Sequence, residues 1–244
     1  MHVKSIKRAD PAFHSQMYKL LIPLVIQNLL NAAVSSSDVV MLNYVNQSSI
    51  SAVSLAANYA QVLGSVFYGL GTGATLLCAQ YYGKRDFRAI QAVQGIAMRF
   101  STAISALFAL AAFTVPQVMM RLFTNDAELI SIGAGYLRIM GITYLCWGII
   151  EVYMSVLRSI GRVTVCLALN VLTFFLNILL NATFIFGLFG APRLGAIGVA
   201  IATAASRAAE LVGSIVVSAF SKDVKLAPME MFRSNKVLTG DFIR

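Results

Sequence analysis

Six apolar stretches, over about 17–42, 51–80, 90–118, 132–157, 163–187 and 194–220, occupy most of this 244-residue chain. Crossing about 30 Å of hydrocarbon takes roughly 20 helical residues at about 1.5 Å each, and all six stretches are longer than that. They lack period-2 alternation and carry few charges, which favours helices over barrel strands. The expected fold is an all-α membrane protein, a bundle of six transmembrane helices. Composition leads to the same place: 58% of residues are hydrophobic and 12% charged, against about 45–50% and about 25% in soluble domains. A soluble enzyme domain, a disordered tail and a fibrous repeat are excluded. The net charge of +9 sits in short clusters between apolar runs, so it does not read as a nucleic-acid surface. Cys78, Cys146 and Cys166 each lie inside an apolar run and imply no disulfide framework.

Turn and polar signals mark the joints at Asn43 to Ser49, Gly83-Lys84-Arg85-Asp86, Thr124-Asn125-Asp126, Ser159-Ile160-Gly161-Arg162 and Gly190-Ala191-Pro192. The first stretch is too long for a cleaved signal peptide and is interrupted by Pro23, Gln27, Asn31 and Asp38. Loop charge sets the orientation. Fourteen basic residues (Lys4, Lys7, Arg8, Lys19, Lys84, Arg85, Arg88, Arg158, Arg162, Lys222, Lys225, Arg233, Lys236 and Arg244) fall on one side, and only Arg121 and Arg193 on the other. A multi-pass protein of the cell's inner (plasma) membrane is expected, in contact with membrane lipid and with both termini cytoplasmic. Residues 1–16 form the leading cytoplasmic segment, 17–220 the helical lobe, and 221–244 a polar cytoplasmic loop or tail.

Polar residues inside apolar helices are costly, so their placement carries most of the functional information. In the first span Gln27, Asn31, Ser35 and Asp38 lie within about 80° of arc at 100° per residue. The fifth span repeats the device with Asn170, Thr173, Asn177 and Asn181, and the sixth with Thr203, Arg207, Glu210 and Ser214. Such stripes must face protein or a water-filled cavity, because unsatisfied polar groups in hydrocarbon cost several kcal/mol. Helical rise puts Asp38 and Asn181 roughly 27 Å from the cytoplasmic boundary and Asn177 roughly 21 Å, with Thr203 roughly 14 Å in from the outside. All four fall in the outer half, where they could converge.

Glu151, Arg207, Glu210 and Arg99 fall towards the inner half, where two acids and two bases would neutralise one another as a structural charge network. Asp38 has one basic candidate at its depth, Arg138. Either the two form a structural pair, or Asp38 is unpaired and able to exchange a proton near neutral pH or to bind a cation. Pro23 removes a backbone hydrogen bond from the first span and makes either a static kink or a hinge. Pro116 closes the third span, and Gly64, Gly69, Gly71 and Gly73 in the second suit close helix packing.

Enzymatic signals are missing. His2 and His14 precede the first span, and no metal-ligand cluster, Walker-type phosphate loop or carbonyl selectivity filter is evident. No cofactor is expected. Transport would have to be driven by an ion gradient.

The residues carry a resemblance. Pro23-Leu-Val-Ile-Gln27-Asn28-Leu-Leu, then Asp38-Val-Val-Met41-Leu, Ser51-Ala-Val-Ser-Leu-Ala56, Ala79-Gln80-Tyr-Tyr-Gly83-Lys-Arg-Asp86, Asn177-Ile-Leu-Leu-Asn181, Phe186-Gly187 and Gly195-Ala-Ile-Gly198-Val-Ala-Ile-Ala-Thr203 follow in order. Together they resemble the multidrug and toxic compound extrusion (MATE) family of cation antiporters, over about Tyr18 to Phe220. The resemblance implies a two-lobed, twelve-helix exporter of organic cations or drugs, with six-helix halves as parallel repeats. It implies that Asp38 is the essential acid and Pro23 the proline whose helix bends. Asn177 and Thr203 would coordinate the coupling cation, H⁺ or Na⁺, or neighbour the protonated acid. Asn181 stands where some members, especially archaeal ones, carry a second Asp. Six spans correspond to one lobe, so the partner would be a missing C-terminal lobe or a second half-size chain. Two rival readings are a lipid-linked saccharide flippase of the wider superfamily, using Arg99, Arg138 and Arg207 as a basic lining, and an inactive half-transporter module.

Overall fold

A computed structural model of the chain describes residues 11–43, 45–221, 224–226, 231 and 242. The termini expected at 1–16 and 221–244 lie largely outside the described residues, as does the side chain of Ser35. Among the described residues there is no strand, and seven α-helices follow one another: α1 Pro11–Leu42, α2 Gln47–Gly83, α3 Phe87–Thr114, α4 Pro116–Arg121, α5 Ala127–Ser159, α6 Val163–Phe186 and α7 Gly195–Phe220. Six of them, all but the short α4, are long and apolar enough to cross a membrane.

Four helices start earlier than their apolar stretches, α1 at Pro11 among them, and for α2, α3 and α5 side-chain caps are the reason. Asn46 accepts from the Ser49 N–H at 2.7 Å and Asp86 from the Ala89 N–H at 3.0 Å. Asp126 accepts from the N–H groups of Glu128 at 2.8 Å and Leu129 at 3.3 Å. A capped first turn is polar, so a hydrophobicity window passes over it. At the other boundary, the third span ends at Thr114 rather than at 118. Val115 leaves helical geometry and Pro116 restarts the chain as the first residue of α4, the position where a missing N–H costs nothing. Gly187 closes α6 with φ +75°, its N–H donating to the Thr183 carbonyl at 3.0 Å, a conformation glycine adopts without a Cβ penalty.

α5 is the central post. In its most apolar window 61% of residues are buried, against 12% in α1, and it packs against α2, α3 and α7, while α1 packs chiefly on α6. Small residues let the helices close in. A Cβ on Gly71 would meet Ser155 Oγ at 2.6 Å, and one on Gly64 would meet the Trp147 ring at 3.0 Å. The remaining two glycines of that stretch meet no other helix of the bundle. Gly69 has open space and Gly73 faces Phe242. Ser101 Oγ donates to the Gly148 carbonyl at 2.9 Å, and Tyr59 Oη to the Phe108 carbonyl at 2.9 Å. Van der Waals packing and such interhelical hydrogen bonds hold membrane bundles together where the hydrophobic effect between helices is absent. Lys84, Arg85 and Arg162 sit on the α2–α3 and α5–α6 links and Arg88 in the first turn of α3, at one end of the bundle, with Arg121 and Arg193 towards the other.

Candidate functional site

A cavity of about 680 Å³ opens among α1, α2, α5, α6 and α7. The polar stripes of α1, α6 and α7 turn into it: Gln27, Asn31, Asp38, Asn170, Thr173, Asn177, Thr203, Arg207 and Glu210 all line its wall. α1 runs as one helix through Pro23, which leaves the Lys19 carbonyl without its usual donor. Pro23 is not itself among the lining residues.

Near the end carrying the α1–α2 link, four side chains join into one chain of hydrogen bonds. Asn181 Nδ2 donates to Asp38 Oδ1 at 2.6 Å and to Asn177 Oδ1 at 3.0 Å. Asn177 Nδ2 in turn donates to Thr203 Oγ1 at 3.4 Å. Asn181 is fully buried and Asn177 nearly so. The 2.6 Å contact is short even for a charge-assisted bond. Helical spacing explains the convergence: Asn177 and Asn181 are one turn apart on α6, so a single face reaches both Asp38 on α1 and Thr203 on α7. One buried acceptor is left over, since Asn181 Oδ1 has no donor among the described residues. The donor set is a carboxylate, two amides and a hydroxyl, all hard oxygen ligands of the kind that suit a proton or an alkali cation better than a transition metal. Among the described residues no ion pair joins Asp38 to Arg138, and Arg138 is exposed.

Asn170 and Thr173 line the wall below, with Asn170 Nδ2 donating to the Cys166 carbonyl at 2.9 Å and Thr173 Oγ1 to the Leu169 carbonyl at 2.8 Å. Both side chains are thus tied to the backbone of their own helix. Gln27 is buried on the α1 side.

The expected four-membered charge network is replaced by two separate pairs. Arg158 Nη2 donates to Glu151 Oε1 at 2.6 Å and to Ser155 Oγ at 2.9 Å. Arg207 Nη1 donates to Glu210 Oε2 at 2.8 Å, and its guanidinium lies 5.5 Å from the centre of the Trp147 ring. Arg99 takes part in neither. Its Nε and Nη2 are buried without an acceptor among the described residues, and it does not line the cavity. Depth alone grouped these charges; spacing pairs them, because residues seven or three apart on one helix share a face.

Sequence reading missed the contribution of α5. Tyr136, Met140, Thr143, Trp147 and Arg158 all line the cavity. A helix buried on most sides shows no polar stripe, so no periodicity marks which of its residues face a cavity. Trp147 carries a usable signal only in hindsight, as the one tryptophan of the chain.

Comparison with known proteins agrees with this architecture. The MatE family profile matches residues 23–183. The chain is 26% identical to "Uncharacterized transporter YisQ" of Bacillus subtilis over 94% of its own length and 50% of that protein's. It is 27% identical to "Probable multidrug resistance protein NorM" of Thermotoga maritima over 82% of this chain and 43% of that one. A Pyrococcus furiosus structure described as a transporter of the MOP superfamily superposes with a TM-score of 0.81 at 20% identity, over 93% of this chain and 50% of that one. The chain thus spans about half the length of the relatives it matches.

Proposed function

The chain belongs to the MatE family, and from that membership we propose that it forms the ion-coupling half of a secondary antiporter exporting organic cations or drugs in exchange for H⁺ or Na⁺. The observation that supports this reading most directly is the Asp38 site. A carboxylate on the cavity wall is held by Asn181, and the amide oxygen beside it is buried without a donor. Such a site has acceptors to spare and accepts a cation. Coupling ion and cationic substrate compete for the same carboxylate, so each favours a different state of the carrier, and exchange follows from differential binding. Pro23, without its helical hydrogen bond, is the hinge that lets the Asp38 segment of α1 move against α6. Both termini lie on the cytoplasmic face of the plasma membrane, the side given by the basic α2–α3 and α5–α6 links. Completion of the carrier calls for a second lobe or a second half-size chain.

Lining charge bears on the flippase rival. Of Arg99, Arg138 and Arg207, only Arg207 lines the cavity, and three carboxylates there (Asp38, Glu151, Glu210) outnumber two guanidiniums (Arg158, Arg207). A net negative wall suits a cationic cargo better than a lipid phosphate. The test replaces Asp38 with Asn in the protein expressed from its complete gene and reconstituted in proteoliposomes. Loss of ion-driven export of a cationic dye is the expected result; undiminished export overturns the proposal.

A further inference from the structure

We infer that the packed seam between α5 and α7 is a proton route, in which a water held by Ser214 Oγ and Tyr153 Oη joins Glu210 on the cavity wall to Ser218, Ser221 and Arg162 at the basic end of the bundle. The inference rests on the reading of Asp38 as the coupling site and adds the path by which its proton leaves.

α7 is apolar outside and polar inside. Val212, Ile215, Val216 and Phe220 are exposed, whereas every buried residue beyond Ala202 is polar: Ser206, Glu210, Ser214 and Ser218 follow one another at intervals of four. Hydroxyls inside membrane bundles pack helices by bonding to backbone, as Ser206 Oγ does to the Ala202 carbonyl at 2.8 Å and Ser101 Oγ to that of Gly148. Ser214 and Tyr153 do otherwise. Both are fully buried, and neither hydroxyl makes a hydrogen bond among the described residues. Two unbonded buried hydroxyls are costly, and a polar site with several partners is where proteins hold internal water.

Topology puts the two hydroxyls at one level. α5 and α7 are separated by a single spanning helix and so run the same way, and Tyr153 lies as far from Ser159 as Ser214 does from Phe220, six residues. Just past those ends Arg162 Nη1 donates to Ser221 Oγ at 3.5 Å. Tyr153 also lies within electrostatic reach of Ser218 and Arg162. Glu210 to Ser214 and Ser214 to Ser218 are each about 6 Å of helical rise, a length that two hydrogen bonds of about 2.8 Å through one water span. Serine and tyrosine hydroxyls both donate and accept, so a file of them can hand a proton on. A metal cation needs several oxygens around it to replace its hydration shell, and the seam offers them in single file.

At its upper end the seam meets the Asp38 site. Glu210 lines the same cavity, and Arg207, bonded to it at 2.8 Å, lies within electrostatic reach of Asp38. The other titratable or charged groups around Glu210 are Glu151 and Arg158 of α5 on the cavity wall and Cys166 of α6.

Ser214→Ala and Tyr153→Phe each remove one hydroxyl with little change of shape. In the protein expressed from its complete gene and reconstituted in proteoliposomes, two rates are compared. One is export of a cationic dye driven by a pH gradient; the other is dye-for-dye counterflow without a gradient, which moves the cargo but releases no proton. Each variant is expected to slow pH-driven export about tenfold, as the loss of one hydrogen bond predicts, and to leave counterflow unchanged. The double variant S214A/Y153F is expected to be no slower than the slower single one, because both hydroxyls hold the same water. Export unchanged in both single variants overturns the inference. Export and counterflow falling together also overturns it, since that is the mark of a packing role. Export by the unaltered protein that responds to sodium alone overturns it while leaving the Asp38 reading intact. Undiminished export in Asp38→Asn overturns the Asp38 reading instead, and neither export nor counterflow in the unaltered protein overturns both.

Discussion

Asn181 does the most connecting work of any single side chain at the site, because one amide nitrogen serves both Asp38 and Asn177. A lone carboxylate in a poorly solvated wall is expensive unless hydrogen bonds compensate it, and Asn181 is its only donor among the described residues. The same amide leaves its oxygen without a donor among the described residues, so this residue steadies the acid and, in the proposed carrier, supplies a ligand to the cation. Asn181→Ala removes both contributions. A contact to a charged group is worth about 1.5–3 kcal/mol, so with sodium as the driving cation the half-saturating concentration in an export assay is expected to rise about ten- to a hundredfold through the lost Oδ1 ligand. Export kinetics that do not move would show that the Asp38–Asn181 bond is packing rather than part of the cation site. This grouping was legible in the sequence, since equal arc on α6 and similar depth on α1 and α7 bring Asp38, Asn177, Asn181 and Thr203 together. What sequence could not give is the direction of Arg99, whose guanidinium stays outside both ion pairs and the cavity. Charge and depth say that an arginine needs a partner, but side-chain direction depends on which neighbours crowd it.

At the scale of the element, α5 is where the pattern was least readable and where the structure is most tightly constrained. The apolar length of a span shows through any packing, whereas helix ends are set by single capping residues and interior faces by neighbours. Asn46, Asp86 and Asp126 stand at helix starts as ordinary capping signals, so those three boundaries were available to a reading that weighed caps as well as hydropathy. The faces of α5 were not, because it is enclosed by α2, α3 and α7. Gly148 sits at the tightest of these contacts. A Cβ there would collide with Ser105 Oγ, would meet Ser101 Oγ at 2.7 Å, and would press on the Phe67 ring at 3.2 Å. The serines can rotate, although Ser101 would then lose its bond to the Gly148 carbonyl. Phe67 is held by Trp147, so displacement there reaches the cavity wall. Gly148→Ala is expected to cost about 1–3 kcal/mol as an overpacking substitution, read as a lower unfolding midpoint in detergent, together with a shift in Trp147 emission. An unchanged midpoint and spectrum would mean that α3 and α5 have slack at this level.

At the scale of the whole molecule, the described helices enclose a cavity and carry the Asp38 cluster on its wall, but the alternating access of the proposed carrier asks for more than a site. The site must face one side of the membrane and then the other, which in carriers built from repeats comes from one bundle rocking against its counterpart. The chain spans about half the length of its relatives, and its six spanning helices gather around the single post of α5. Binding and transport should therefore separate. In the 244-residue chain alone in proteoliposomes, emission from Trp147, the one tryptophan, is expected to change on titration with an aromatic ammonium such as benzylammonium, since Asp38 and its partners all lie within it. No accumulation of a cationic dye against its gradient is expected, whether a proton or a sodium gradient is imposed. If accumulation occurs, the chain supplies both rocking bodies itself. The two-fold pairing that this requires would appear as a doubled particle mass in nanodiscs, with accumulation falling as the chain is diluted in the bilayer.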